Sequence, residues 1–407
     1  GVNPDTDEPE VRHSSDTEPF AALAFKIATD PFVGKISIFK VNAGTLRANS
    51  TVYNATKGKD ERIGGLFFLK GKEQITTDCI TAGDIGAASK LANTDTNDTI
   101  CDRARILEMP KIKFPQPCLS KSIVPLKKGD EDKIISGLTK LADEDHCFTV
   151  ETNPETKQMV LSGIGDMQLK VLVSQLKNKY NVDCELGEPK VPYREAIRKK
   201  VKVQGKHKKQ SGGAGQYGDV HIRFSPSQEP GLEFSEGLFG GSVPKNYVPA
   251  VEKGLLECME KGPLAGCKVQ NIKAVLYDGS YHEVDSNEVS FKIAASLAFK
   301  KGIVEARPCL LEPIMKLEIT VPESFVGAVM GDMPNRRGMV LGMDSSPRGT
   351  VLHAEAPQAE LFDYAIALRS MTQARGSFTV EFARYAELPG NLADKVIAAY
   401  KKEQEEK

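Results

Sequence analysis

Two stretches of this chain, 118–190 and 311–385, run through one succession of hydropathy patterns with dissimilar residues. In the first, KSIVPL (121–126) reads as a strand. EDKIISGLTKLADED (131–145) then sets Ile134, Ile135, Leu138 and Leu141 on one helical face. CFTVET (147–152) and QMVLSGI (158–164) are strands joined by the turn Asn153-Pro154. DMQLKVLVSQLKNKY (166–180) is a helix with Met167, Val171, Leu172, Val173 and Leu176 at helical spacing, and VDCEL (182–186) closes the series. In the second, PIMKLEITV (313–321), GMVLGMD (338–344), GTVLHAEA (349–356) and SFTVEFARY (377–385) are strands. ESFVGAVMGDM (323–333) and QAELFDYAIALRSM (358–371) are helices. The order β-α-β-β-α-β predicts two ferredoxin-like units.

The remainder divides around them. FAALAFKIAT (20–29), KISIFKVNAG (35–44), ERIGGLFFLK (61–70) and GDIGAASKL (83–91) are short apolar segments between turn signals, without helices. Such spacing predicts a small antiparallel β-barrel. Pro110, Pro115 and Pro117 mark a boundary after it. Between the two repeats lies an α/β unit with a basic opening strand, a Gly-rich loop, a strand at 219–225 and a helix from Pro244 to Gly262. A strand at 269–277 and a helix from Asp285 to Lys301 complete it. The predicted organisation is a linker (1–19), a barrel (20–105), a ferredoxin-like domain (116–188), an elongated α/β domain (189–308) and a ferredoxin-like domain with a C-terminal helix (309–407). This makes a multidomain α+β chain of 407 residues, with hinges expected at 102–118, 187–193 and 306–313.

Composition narrows the function classes. Lys plus Arg is 54 against 55 for Asp plus Glu, so the chain is neither a uniformly basic coat nor an acidic tail. No apolar run approaches the ~20 residues of a membrane helix, and no membrane partner is expected. The acidic GVNPDTDEPE start has no apolar run and no initiator Met, which suggests a processed or truncated chain rather than a signal peptide. Eight cysteines lie singly along the chain, none in a CxxC pair, as expected of buried, reduced thiols of a cytoplasmic protein, and a monomer is expected. The six histidines are never at i,i+4, so no metal site is expected. There is no GxxxxGK[ST] loop and no GxSxG elbow, and no catalytic residue is assigned.

The informative stretch is electrostatic. Lys190, Arg194, Arg198, Lys199, Lys200, Lys202, Lys206, Lys208 and Lys209 stand against one acid, Glu195. The run leads into SGGAGQYG (211–218). There Ser211, Gly212, Gly213 and Gly215 let a backbone approach phosphate or ribose, and Gln216 and Tyr217 can hydrogen-bond bases or 2′-hydroxyls. The same run also reads as a solvated strand entering a hairpin. A second loop, YDGSYHEVDS (277–286), offers Gly279, Ser280, Tyr281 and His282, with Asp285 as the expected N-cap of the next helix. For Tyr281 packing is the competing role, and for His282 an exposed turn. Gly331, Arg336, Arg337 and Gly338 form a third polar cluster, readable as a ligand site or as a helix C-cap. The candidate RNA-binding set is Lys199, Lys200, Lys206, Lys208, Ser211, Gly212, Gly213, Gly215, Gln216, Tyr217, Gly279, Ser280, Tyr281 and His282.

TEPFAALAFKIATDPFVGKISIFKV (17–41), QSGGAGQYGDV (210–220), LYDGSYHEVDS (276–286), LLEPIMKLEI (310–319), GDMPNRRGMVLGM (331–343) and LRSMTQARGSFTVEFARY (368–385) resemble bacterial elongation factor G beyond its nucleotide-binding domain. That resemblance implies a translational GTPase whose GTP and Mg sit in a domain outside these residues, so that this chain alone is not an enzyme and holds no cofactor. It implies an arm domain with a left-handed βαβ crossover, against the usual handedness. It also implies that the loops at 211–218 and 279–286 are the arm's tip. Gln216, Tyr217 and His282 would meet A-site tRNA and mRNA at the decoding centre. The last domain would lie near the sarcin–ricin loop, making ribosomal RNA of both subunits the partner during translocation, with a further role in ribosome recycling. Two departures stand out. Ala214 replaces the Arg of the family's SGGRGQYG, removing one phosphate-reading cation, and GLFFLKGKEQITTD (65–78) is more like a paralogous second group of G-type factors. A ribosomal protection protein and a standalone RNA-binding protein are the alternative readings.

Overall fold

A computed structural model describes residues 1–30, 33–71, 73–209, 215–347 and 349–405. The chain forms two compact units: residues 1–151 with 159–188, and residues 152–158 with 189–407.

In the first unit, eight strands follow one antiparallel path. In order they are Lys59–Arg62, Thr51–Asn54, Thr99–Cys101, Ala21–Asp30, Gly34–Ala43, Ile85–Ser89, Leu66–Lys70 and Glu73–Thr77. Thr45–Arg47 pairs separately with Cys79–Thr81. Phe39, Val41, Leu66 and Ile100 from the long path pack with Ile63, just beyond Lys59–Arg62, and with Leu46 and Ile80 from the short pair in one core. Gly44 makes the tight exit from Gly34–Ala43 at φ +71°, where a Cβ would lie 2.6 Å from the Glu18 carbonyl. Only glycine meets both conditions.

The first ferredoxin-like fold follows. Its sheet runs Thr149–Thr152, Met159–Gly163, Leu119–Pro125, Cys184–Gly187, with helices Glu131–Glu144 and Asp166–Tyr180. Ile134, Leu138 and Leu141 are buried as expected, but Ile135 is 38% exposed. The second helix buries Leu169, Leu172 and Leu176, while Met167 and Val171 are 66% and 47% exposed. The true contact stripe is i, i+3, i+7, and the other apolar residues lie beside it.

In the second unit, the sheet Val201–Lys209, Gln216–Pro226, Ile272–Ser280, Leu232–Glu236 carries helices Val248–Met259 and Glu288–Glu305 on one face. The last two strands are parallel, and Val248–Met259 connects them. Val203, Val220, Ile222 and Phe224 meet Phe291, Ala294, Ala295, Ala298 and Phe299 in the core. The helix lies so close that a Cβ on Gly205 would be 2.1 Å from the Ala294 carbonyl, and one on Gly218 2.6 Å from that of Ser290. Both glycines are therefore fixed by backbone approach.

The terminal ferredoxin-like fold repeats the strand order of the first. Ser377–Glu387 lies beside Pro308–Val321, then Gly349–Pro357, then Met339–Ser346. The strand Pro308–Val321 also pairs with Arg194–Ile197, in register Arg194↔Leu311 to Ile197↔Pro308. The expected hinge at 306–313 is for the most part strand: residues 308–311 pair with Arg194–Ile197 and residues 311–313 with the end of Ser377–Glu387. Among the described residues, no helix is long and apolar enough to cross a membrane.

Candidate nucleic-acid interface

Pairing of Val201–Lys209 with Gln216–Pro226, from Val201↔Phe224 to Lys209↔Gln216, makes a hairpin at the edge of the four-stranded sheet, and only its last three residue pairs run past the Asp219↔Ser280 end of the third strand. Ser211, Gly212, Gly213 and Ala214 lie outside the described residues. Strand alternation sorts the basic run. Val203 and Gly205 face the helices, whereas Lys202, Gln204, Lys206 and Lys208 are exposed on the open face. Lys199 and Lys200 are exposed but precede this strand, and the Lys199 N–H donates to the Ala306 carbonyl at 2.9 Å. They sit at the root of the arm, ~30 Å from Lys209 at ~3.3 Å per residue. Three other members of the stripe are tied to carboxylates. Lys190 pairs with Glu403, Arg194 with Glu155, and Arg198 with Glu387.

Glu195 is not a counter-charge on that stripe. It is fully buried, and its carboxylate accepts N–H bonds from Leu264, Ala265 and Cys267 at 3.0, 2.9 and 3.2 Å. Burial raises its pKa against the opposing pull of those donors.

At the far end, the two candidate loops join. The Gly215 N–H donates to Asp285 Oδ1 at 2.9 Å, and the Tyr217 N–H to the Asp285 carbonyl at 2.9 Å. Ser286 Oγ donates to the Tyr217 carbonyl at 2.9 Å and accepts the His282 N–H at 2.9 Å. A Cβ at Gly215 would lie 2.8 Å from the Asp285 carboxylate, so glycine there admits the contact. Asp285 is therefore a cross-loop latch rather than the expected N-cap. That role falls to Asn287, whose side chain accepts the Ser290 N–H at 2.9 Å.

Beneath the latch runs a polar relay. Ser280 Oγ donates to Asp219 Oδ2 at 2.9 Å, so the Tyr217 hydroxyl, 2.7 Å from Ser280 Oγ, donates to it. Gln204 Nε2 donates to Asp219 Oδ1 at 2.9 Å, leaving the buried carboxylate satisfied. Lys206 Nζ lies 5.5 Å from the Tyr217 ring centre.

The candidate set thus separates by role. Lys206, Lys208, Gly215, Gln216, Tyr217, Ser280 and His282 converge on one end. Tyr281 is 45% exposed, so packing is not its role. The His282 side chain is 56% exposed, with Nδ1 3.4 Å from Asp285 Oδ2. Gly279 is a packing glycine, since a Cβ there would lie 2.4 Å from the Asp219 carbonyl. The cluster around Arg336 turns inward. Arg336 pairs with Asp332 and Asp363, and Arg337 forms a bidentate pair with buried Glu312, at 2.7 and 2.8 Å, that raises its pKa. Residue types alone missed Gln204, Asp219 and Ser286. Their signal was alternation with the basic residues and adjacency to the loops. Among the described residues, no group of three or more His, Cys, Asp or Glu is arranged to hold a metal.

Models of four domains of one protein match this chain in sequence. Elongation factor G domain 2 matches residues 19–103, domain III 114–188, domain IV 189–307 and the elongation factor G C-terminus 309–396. The crystal structure of ttk003000868 from Thermus thermophilus superposes with a TM-score of 0.83 at 37% identity. The match covers 94% of this chain and 58% of that one, so the chain spans less than two thirds of that relative's length. With four consecutive domain models in order, and a fold shared over nearly its whole length, the chain belongs to the elongation factor G family.

Proposed function

We propose that this chain is the ribosome-engaging part of a translational GTPase, and that its arm advances tRNA and mRNA during elongation. The observation that carries this reading is the latch. Asp285 and Ser286 bind two loops distant in sequence into one end surface, with Gln216, Tyr217 and His282 beside it. A tip that meets RNA only transiently benefits from contacts whose ordering is settled beforehand. GTP and Mg would be held by a separate domain of the complete protein, and the residues described here supply binding and mechanical coupling. The partners proposed are ribosomal RNA of both subunits, including the decoding centre and the sarcin–ricin loop, together with A-site tRNA and mRNA.

The test is His282→Ala in the complete protein, comparing phosphate release with mRNA displacement on the same ribosomes. Loss of a hydrogen bond formed in the moving state, worth ~1–3 kcal/mol, slows displacement about 5- to 150-fold. Phosphate release stays near its original rate. Equal losses in both would mean that His282 supports docking or folding instead.

A further inference from the structure

The open face of the arm sheet carries a second cationic cluster, well away from the tip. Lys202 and Arg223 are register partners on adjacent strands. Tyr277, the extra residue at a bulge between the His221 and Ile222 pairings, sits beside them. Lys202 Nζ lies 5.7 Å and the Arg223 guanidinium 5.6 Å from the Tyr277 ring centre, and the His221 ring meets that ring edge-on at 6.0 Å. The pair Lys202↔Arg223 is seven residues along the strand from Lys209↔Gln216, or ~23 Å at ~3.3 Å per residue.

Three features make this a ligand surface rather than an internal ion network. Arg223 Nε is buried without a hydrogen-bond acceptor, and among the described residues neither Arg223 nor Lys202 pairs with a carboxylate. Neither cation is paired with the acids nearest to it in the sheet. Asp219 is bonded to Gln204 and Ser280, Glu233 pairs with Lys273, and Asp278, opposite His221, accepts the Gly279 N–H. Finally, the aromatic ring holds the two cations, so they are pre-positioned without being neutralised.

We propose that Lys202 and Arg223, held on Tyr277, form a root-of-arm site for the phosphodiester backbone of RNA, separate from the tip. This rests on the reading of the arm as an RNA-contacting element and adds a second anchoring point to it. A guanidinium presents a planar fork suited to phosphate oxygens, and a neighbouring ammonium adds a point charge. Backbone contacts of this type set position and register without reading sequence. An acidic protein is the less suitable occupant. The cluster has no exposed apolar side chain at its centre, and its ring is occupied by cations, whereas protein interfaces centre on buried aromatic or aliphatic anchors.

The experiment measures fluorescence anisotropy of labelled oligouridine with the intact chain across a potassium chloride series. The Lys202→Gln/Arg223→Gln double variant should lose about 1.4 units of the log–log salt slope, two phosphates at ~0.7 each, and bind about tenfold more weakly at moderate salt. Arg223→Lys, which keeps the charge, should retain the slope, separating loss of contact from loss of fold. An unchanged slope in the double variant, with a reduced slope in Lys206→Gln/Lys208→Gln, would overturn the root site and leave the tip reading standing. Absence of salt-dependent binding by the unaltered chain would overturn both. Competition by polyglutamate as strong as by unlabelled RNA at equal charge would also overturn the assignment, in favour of an acidic protein surface.

Discussion

Asp285 joins the two candidate loops from a single position in the sequence. Its carboxylate and its carbonyl fasten two successive stretches of the opposite loop, at Gly215 and Tyr217. Replacing it with Ala removes the side-chain acceptor and leaves the backbone one. Amide exchange at Gly215 should therefore accelerate by about 5- to 150-fold, as expected for a lost bond of ~1–3 kcal/mol, while Tyr217 changes less. Equal acceleration at both amides would mean that the whole loop had unfolded. Glu195 behaves in the opposite manner, as a buried acceptor for three backbone donors. Glu195→Gln presents an NH2 group to those donors and should cost about 1–3 kcal/mol, read from the urea midpoint. A midpoint unchanged from the parent would contradict that role. Burial, then the nearby Glu195 charge, pushes the Cys267 thiol up to about 12. The thiolate is the reactive form, so alkylation of Cys267 should still be rising with pH well above the ~8.5 of a free cysteine. A plateau near that value, followed by mass spectrometry, would contradict the shielding. Neither role was legible in the sequence. A lone acid among lysines looks like surface charge, and only the fold carries the 264–267 turn to it.

At the scale of elements, the two ferredoxin-like units were legible because their strands alternate and their helices are long enough to show period. Helix faces were less so. Val171 and Leu172 are adjacent apolar residues, but one is 47% and the other 3% exposed. Pattern cannot rank neighbours when a helix is apolar over a wide arc, because packing partners decide. Leu172→Ala should cost about 2–5 kcal/mol by thermal or urea melting, and Val171→Ala less than about 1 kcal/mol. Similar losses at both would contradict the assigned face. The expected hinge at 306–313 failed for a related reason. Pro308 and Pro313 suggest a break, yet the strand accommodates both while pairing with Arg194–Ile197 and Ser377–Glu387. Rotation of the arm root against the terminal ferredoxin-like fold would have to break those pairs.

At the scale of the second unit, the mechanical role proposed above asks for stiffness along the arm and into the fold that carries it. Close helix–sheet approach at Gly205 and Gly218 and the shared strand Pro308–Val321 supply a continuous packed path within the second unit. The motifs carrying the family resemblance were readable because they combine unusual residues in fixed order. The spatial division of the basic run was not, since it depends on which residues fall on one face of a sheet and at which end. The most direct measurement places a photo-crosslinking benzoylphenylalanine at His282 in the complete protein, trapped on ribosomes during translocation. A tip that engages the decoding region predicts crosslinks to small-subunit decoding RNA, tRNA or mRNA, lost when Asp285→Ala loosens the tip. Crosslinks confined to the large subunit, with none to those RNAs, would contradict it.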